Sequence, residues 1–131
     1  MAGNFRVGLS LVSSLPFLAA CATVPQQPMQ PYQLSQAQVG SIQYKTKLLL
    51  KDPDSAKFRN IVAGVGDDKK VVTVCGLVNA KNSFGGFVGE RLFIGAIDTA
   101  TGQFAVKQLA PEDIYLAMAM GTCRRIGLQV G

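Results

Sequence analysis

Lys70-Val71-Val72-Thr73-Val74-Cys75-Gly76-Leu77-Val78-Asn79-Ala80 holds four successive β-branched residues, Val71 to Val74. Such side chains fit a pleated strand better than a helix. Alternation puts Val71, Thr73, Cys75 and Leu77 on one face and Val72, Val74, Gly76 and Val78 on the other. Both sets are largely apolar, so the segment reads as a central strand covered on one side by helix.

Strand signals continue on either side of it. Phe58 to Val62 forms a first strand, followed by a turn around Gly64-Val65-Gly66-Asp67-Asp68. Asn79 to Gly89 is a loop rich in Gly and Asn that leads to a third strand through Arg91, Leu92, Phe93, Ile94 and Ile97. Asp98-Thr99-Ala100-Thr101-Gly102 is a turn, and Gln103 to Leu109 is a fourth strand. Short connections favour an antiparallel meander.

Helices bracket these strands. Ser35 and Gln38 have the spacing of a capping box, and Val39, Ile42, Leu49 and Leu50 fall near one helical face with Tyr44 and Leu48 beside it. This predicts a helix over about 35–50, with Lys45, Lys47 and Lys51 toward the negative end of its dipole. Pro53 disfavours helical geometry at Asp52, so Asp52-Pro53-Asp54-Ser55 starts a separate single turn. Ala110-Pro111-Glu112-Asp113 opens the last helix, with Ile114, Ala117, Met118 and Gly121 on one face and Cys123, Arg124 and Arg125 ending it before Gly127. The expected fold is α+β: an antiparallel sheet of about four strands with an N-terminal and a C-terminal helix packed against it.

The amino-terminal quarter has a different composition. Val7 to Ala20 is almost wholly apolar or small and follows one cation, Arg6, which is the plan of a signal peptide. It is too short to span a bilayer, which takes about 20 apolar residues. Leu18-Ala19-Ala20-Cys21 resembles the lipobox of bacterial lipoproteins. The resemblance implies cleavage before Cys21, a diacylglyceryl group on its sulfur, and often a further acyl chain on its amino group. Ala22 and Thr23, with no Asp after the cysteine, resemble lipoproteins sorted outward to the outer membrane. Pro25, Pro28 and Pro31 alternate with Gln26, Gln27, Gln30 and Gln33, a composition that suits an extended tether. The chain thus divides into a signal peptide over 1–20, a lipidated Cys21 with a Pro/Gln-rich tether over 21–34, and a domain over 35–131.

Without residues 1–20 the chain has 111 residues and a net charge of +4. That is one domain with a small core. Its cations are scattered, which argues against nucleic acid as a partner.

With Cys21 committed to lipid, Cys75 and Cys123 remain as a pair in an oxidising compartment, where a disulfide is the natural reading. Closing a loop of roughly 50 residues contributes up to about 4 kcal/mol in the chain-entropy picture. Two buried reduced thiols, or a redox or metal pair, are the alternatives.

The sequence contains no histidine, which removes the common hydrolytic base and the common metal ligand. The carboxylate pairs Asp52 with Asp54, Asp67 with Asp68, and Glu112 with Asp113 each have a structural reading as a cap, a polar turn and a dipole complement. No catalytic residue, metal or cofactor is expected. The candidate contact surface is the 79–89 loop with Asn79, Lys81, Asn82, Phe84, Phe87 and Arg91: amides and cations for polar contacts, glycines for close approach, and two aromatic rings. The same composition also suits a wide hairpin whose phenylalanines fold back on the core. Gly85-Gly86 with Gly89 lacks the helix and acidic partner of a nucleotide loop.

Two blocks, Lys51-Asp52-Pro53-Asp54-Ser55-Ala56-Lys57-Phe58-Arg59-Asn60 and Val74-Cys75-Gly76-Leu77-Val78-Asn79-Ala80-Lys81-Asn82-Ser83-Phe84-Gly85-Gly86-Phe87-Val88-Gly89, are similar to blocks of small proteobacterial envelope proteins and lipoproteins. Leu77 stands where that group often carries an acid, and Glu90 where it often carries an aromatic. The resemblance implies fold kinship and an envelope setting, and supplies no activity. The functional expectation is a membrane-anchored, noncatalytic interaction module whose partner is an envelope protein or polymer. Two alternatives are a small carboxylate-dependent enzyme acting on cell-wall material through Asp54 or Glu90, and a structural accessory subunit of an envelope complex.

Overall fold

A computed structural model describes Gly3, residues 27–112 and residues 116–131 of the chain. Cys21, the signal segment and the start of the expected last helix, including Asp113 and Ile114, lie outside those residues. Five strands form one antiparallel sheet in sequential order: β1 Gln30–Pro31, β2 Lys57–Val65, β3 Val71–Asn79, β4 Arg91–Asp98 and β5 Phe104–Leu109. Short turns join β2 to β3 and β4 to β5, an eleven-residue hairpin loop over 80–90 joins β3 to β4, and α1 lies between β1 and β2. β2 runs three residues past its expected end, so the turn to β3 begins at Gly66.

The fifth strand corrects the count of about four. Gln30–Pro31, read as tether, pairs with Val65 and Gly64 of β2. Its neighbours are held as well: the Tyr32 amide donates to the Ala63 carbonyl at 2.9 Å, and the Met29 amide to the Ile126 carbonyl at 3.1 Å. Tyr32 and Leu34 pack against the core. Proline is tolerated here because an edge strand can leave one side of its backbone unpaired. Pro/Gln composition signals the absence of a core-building pattern, and it is silent about two residues that only borrow a neighbour's edge.

Helix α1, Gln36–Lys47, begins with the expected capping box, the Gln38 amide donating to Ser35 Oγ and the Ser35 amide to Gln38 Oε1. It stops earlier than the expected residue 50. The Leu49 and Leu50 amides donate to the Thr46 and Lys47 carbonyls, three residues back, so the tightened end breaks the 3.6-residue period. Leu50 is thereby buried while Leu49 turns outward. The buried Thr46 hydroxyl is satisfied by the Ile42 carbonyl at 2.8 Å. The single 3-10 turn over Pro53–Ser55 forms as expected, with Asp52 Oδ1 accepting from the Ser55 amide.

Helix α2 spans Leu116–Arg125 among the described residues, and its buried side chains are Ala119, Met120 and Cys123. The expected face through Ala117, Met118 and Gly121 is wrong, for Met118 is 70% exposed. Cys123 decides the rotation: Leu116, Ala119 and Met120 precede it by seven, four and three residues and share its side of the helix.

Each helix covers a different face of the sheet, which corrects the one-sided covering expected for β3. Val72, Val74 and Val78 join Ile42, Leu50, Phe93, Ile97 and Phe104 on the α1 side. Cys75 and Leu77 join Leu92, Met120, Cys123, Leu128 and Val130 on the α2 side. Cys75 and Cys123 form a disulfide that is wholly buried and ties α2 to β3. Between the pairs Arg59 with Leu77 and Val62 with Cys75, β2 carries one residue more than β3. The extra residue is accommodated at Asn60, at φ 49°, a conformation asparagine tolerates better than most side chains.

Candidate functional site

The 79–89 segment is a built hairpin that extends the β3–β4 ladder. Lys81 and Phe87 pair across it, and the Val88 amide donates to the Ala80 carbonyl. At the tip the Gly85 amide donates to the Asn82 carbonyl at 3.1 Å and the Asn82 amide to the Gly86 carbonyl at 2.8 Å. Gly85 sits at φ 80°, the left-handed position that closes this kind of turn without a Cβ penalty.

Asn82 is the residue that shapes the tip. Its Oδ1 accepts from the Phe84 amide at 2.9 Å and the Gly86 amide at 3.2 Å, so the side chain replaces backbone acceptors inside the turn. Asn79 Oδ1 likewise accepts from the Gly89 amide at the base. Both expected contact amides thus hold the loop in shape through their oxygens.

The two phenylalanines part company. Phe84 is 95% exposed at the tip. Phe87 is partly covered, with Lys57 Nζ 4.6 Å and Lys81 Nζ 5.5 Å from its ring centroid, the placement of a cation–π pair. Arg91 turns away from the tip: its Nε donates to the Ala110 carbonyl, and Nη1 lies 3.7 Å from Glu112. Of the six residues singled out in the sequence, Lys81 and Phe87 meet, Asn79 and Asn82 hold the loop, Arg91 holds the segment after β5, and Phe84 projects alone.

Three residues of this site escaped the sequence reading. Lys57 reaches Phe87 because β2 pairs with β3 so that Lys57 faces Asn79. Ser55 accepts the Lys81 amide at 2.8 Å, fastening the hairpin base to the 3-10 turn. Arg59 makes a two-pronged pair with Glu90, Nε to Oε1 at 2.9 Å and Nη2 to Oε2 at 3.1 Å. Strand register is the signal that would have found Lys57, and the extra residue in β2 obscures it.

The carboxylates are dispersed. Asp54 is exposed, Glu90 is engaged by Arg59, and Glu112 lies between Arg91 and Lys51. Among the described residues no three His, Cys, Asp or Glu gather as a metal site. An open groove of about 470 Å³ runs along the β1–β2 edge beside Leu34, Val39, Ile61, Val62 and Leu128, and no charged residue lines it. No described helix is long and apolar enough to cross a membrane. Comparison with protein-family models, with curated proteins and with solved structures yields no match for this chain.

Proposed function

We propose that this chain is a lipid-anchored envelope protein that works without catalysis, as a contact module presenting the 79–89 hairpin. The single observation that carries the contact reading is Phe84, a large apolar side chain left 95% exposed on a turn that Asn82 and Gly85 hold in one shape. Leaving a phenylalanine in water forgoes about 1.5–3 kcal/mol of burial, and a preorganised tip loses little entropy when a partner covers it. The anchor rests on the lipobox-like Leu18 to Cys21 run, and firm attachment takes more than one acyl chain.

In-cell crosslinking followed by mass spectrometry tests the contact, comparing the native chain with Phe84→Ala. Loss of neighbours with the fold retained is the expected result, and an unchanged set of neighbours refutes the hairpin as the contact. The intact mass of the mature chain tests the anchor: it should start at Cys21 with added acyl mass, and an unmodified Met1 start refutes it.

A further inference from the structure

Chain direction brings two exposed features to one end of the sheet. α1 begins near Ala63, where Tyr32 is held, and ends just before the Pro53–Ser55 turn that Lys81 fastens to the hairpin base. The C-terminal end of α1 and the hairpin therefore share the end of the molecule opposite β1. There Tyr44, Leu48 and Leu49 are each more than half exposed, and residues four apart on a helix are surface neighbours. Lys45 and Lys47 flank them, and neither has an ion-pair partner among the described residues. Of the nearby acids, Asp52 accepts the Ser55 amide and Asp54 is exposed, and neither pairs with a lysine among the described residues. Exposed apolar groups rimmed by charge mark interaction surfaces.

Resting on the lipid-anchored reading above, we infer that Tyr44, Leu48, Leu49 and Phe84 form one docking surface for a protein that has an apolar seat with an acidic rim. Charge complementarity comes from the unpaired lysines. A glycan is the poorer fit, since Asn79 and Asn82 have spent their oxygens inside the loop and Phe87 has lysines over its ring. The bilayer holding Cys21 is out of reach for an upright approach. Met29 is fastened to Ile126 and Pro28 packs on Gly127, and the seven peptide links from Cys21 to Pro28 span at most about 25 Å. β2 alone measures about 27 Å, and the hairpin projects beyond its far end.

The test places a photoreactive phenylalanine analogue at Leu49, Ser83 or Arg125 of the full chain in intact cells. The expected result is one and the same protein adduct at positions 49 and 83, and phospholipid adducts at 125, beside the anchored end. Lys45→Glu with Lys47→Glu should lower the protein adduct at least tenfold while the chain still folds cooperatively, its thermal midpoint lowered only by the two reversed charges at the negative end of the α1 dipole. Phospholipid or glycan adducts at 49 and 83, different proteins at the two positions, no adduct at either, or indifference to the charge reversal would each overturn the inference. Failure of the anchor itself shows separately, in a mature mass without acyl groups.

Discussion

The ring of Phe93 lies across Gly76, its directly opposed neighbour on the adjacent strand: a Cβ built on Gly76 falls 2.5 Å from Phe93 Cζ. The missing side chain makes room for a fully buried ring that Phe58 meets edge-on, with centroids 5.9 Å apart. Gly76→Ala therefore forces the ring or the strand to move. Overpacking of this kind costs about 1–3 kcal/mol, and a domain of this size should lose about 4–8 °C of thermal midpoint per kcal/mol. Differential scanning calorimetry checks it.

The bond between Cys75 and Cys123 closes a loop with a sequence separation of 48. Replacing both cysteines by Ala should cost about 2–4 kcal/mol in denaturant unfolding. Strong reductant should shift the native chain toward the same midpoint and leave the double variant unmoved.

Met118 and Met120 are two residues apart on α2, yet one is 70% exposed and the other buried. Met120→Ala should destabilise by about 2–5 kcal/mol, whereas Met118→Ala should stay within about 0.5 kcal/mol of the native chain. Equal effects, measured by urea unfolding, would contradict the observed rotation of the helix.

Asn82→Ala removes the acceptor shared by the Phe84 and Gly86 amides. The tip is exposed, so global stability should change by no more than about 1 kcal/mol. Amide exchange at Phe84 and Gly86 should quicken by roughly tenfold, with β3 protected as before.

The Val71 to Val74 run announces β3, and the Ser35–Gln38 cap and Pro53 mark where helices begin. Each of these signals is a preference of a few adjacent residues for one backbone shape. Phe84, Asn82 and Lys81 were also legible as a group, because Gly and Asn name a turn. Their division of labour was not: whether a loop phenylalanine points outward or meets lysines depends on Lys57, which is distant in the chain.

Local chemistry therefore determined the meander, the caps, the turns and the availability of two cysteines for one another. Tertiary structure decided what local preference cannot encode: the capture of Gln30–Pro31 by β2, the extra residue at Asn60, the placing of one helix on each face, and the side that α2 turns inward. Each of those outcomes is set by a partner far along the chain, an unpaired strand edge, an apolar face or a sulfur. Their free energies arise only once the sheet exists.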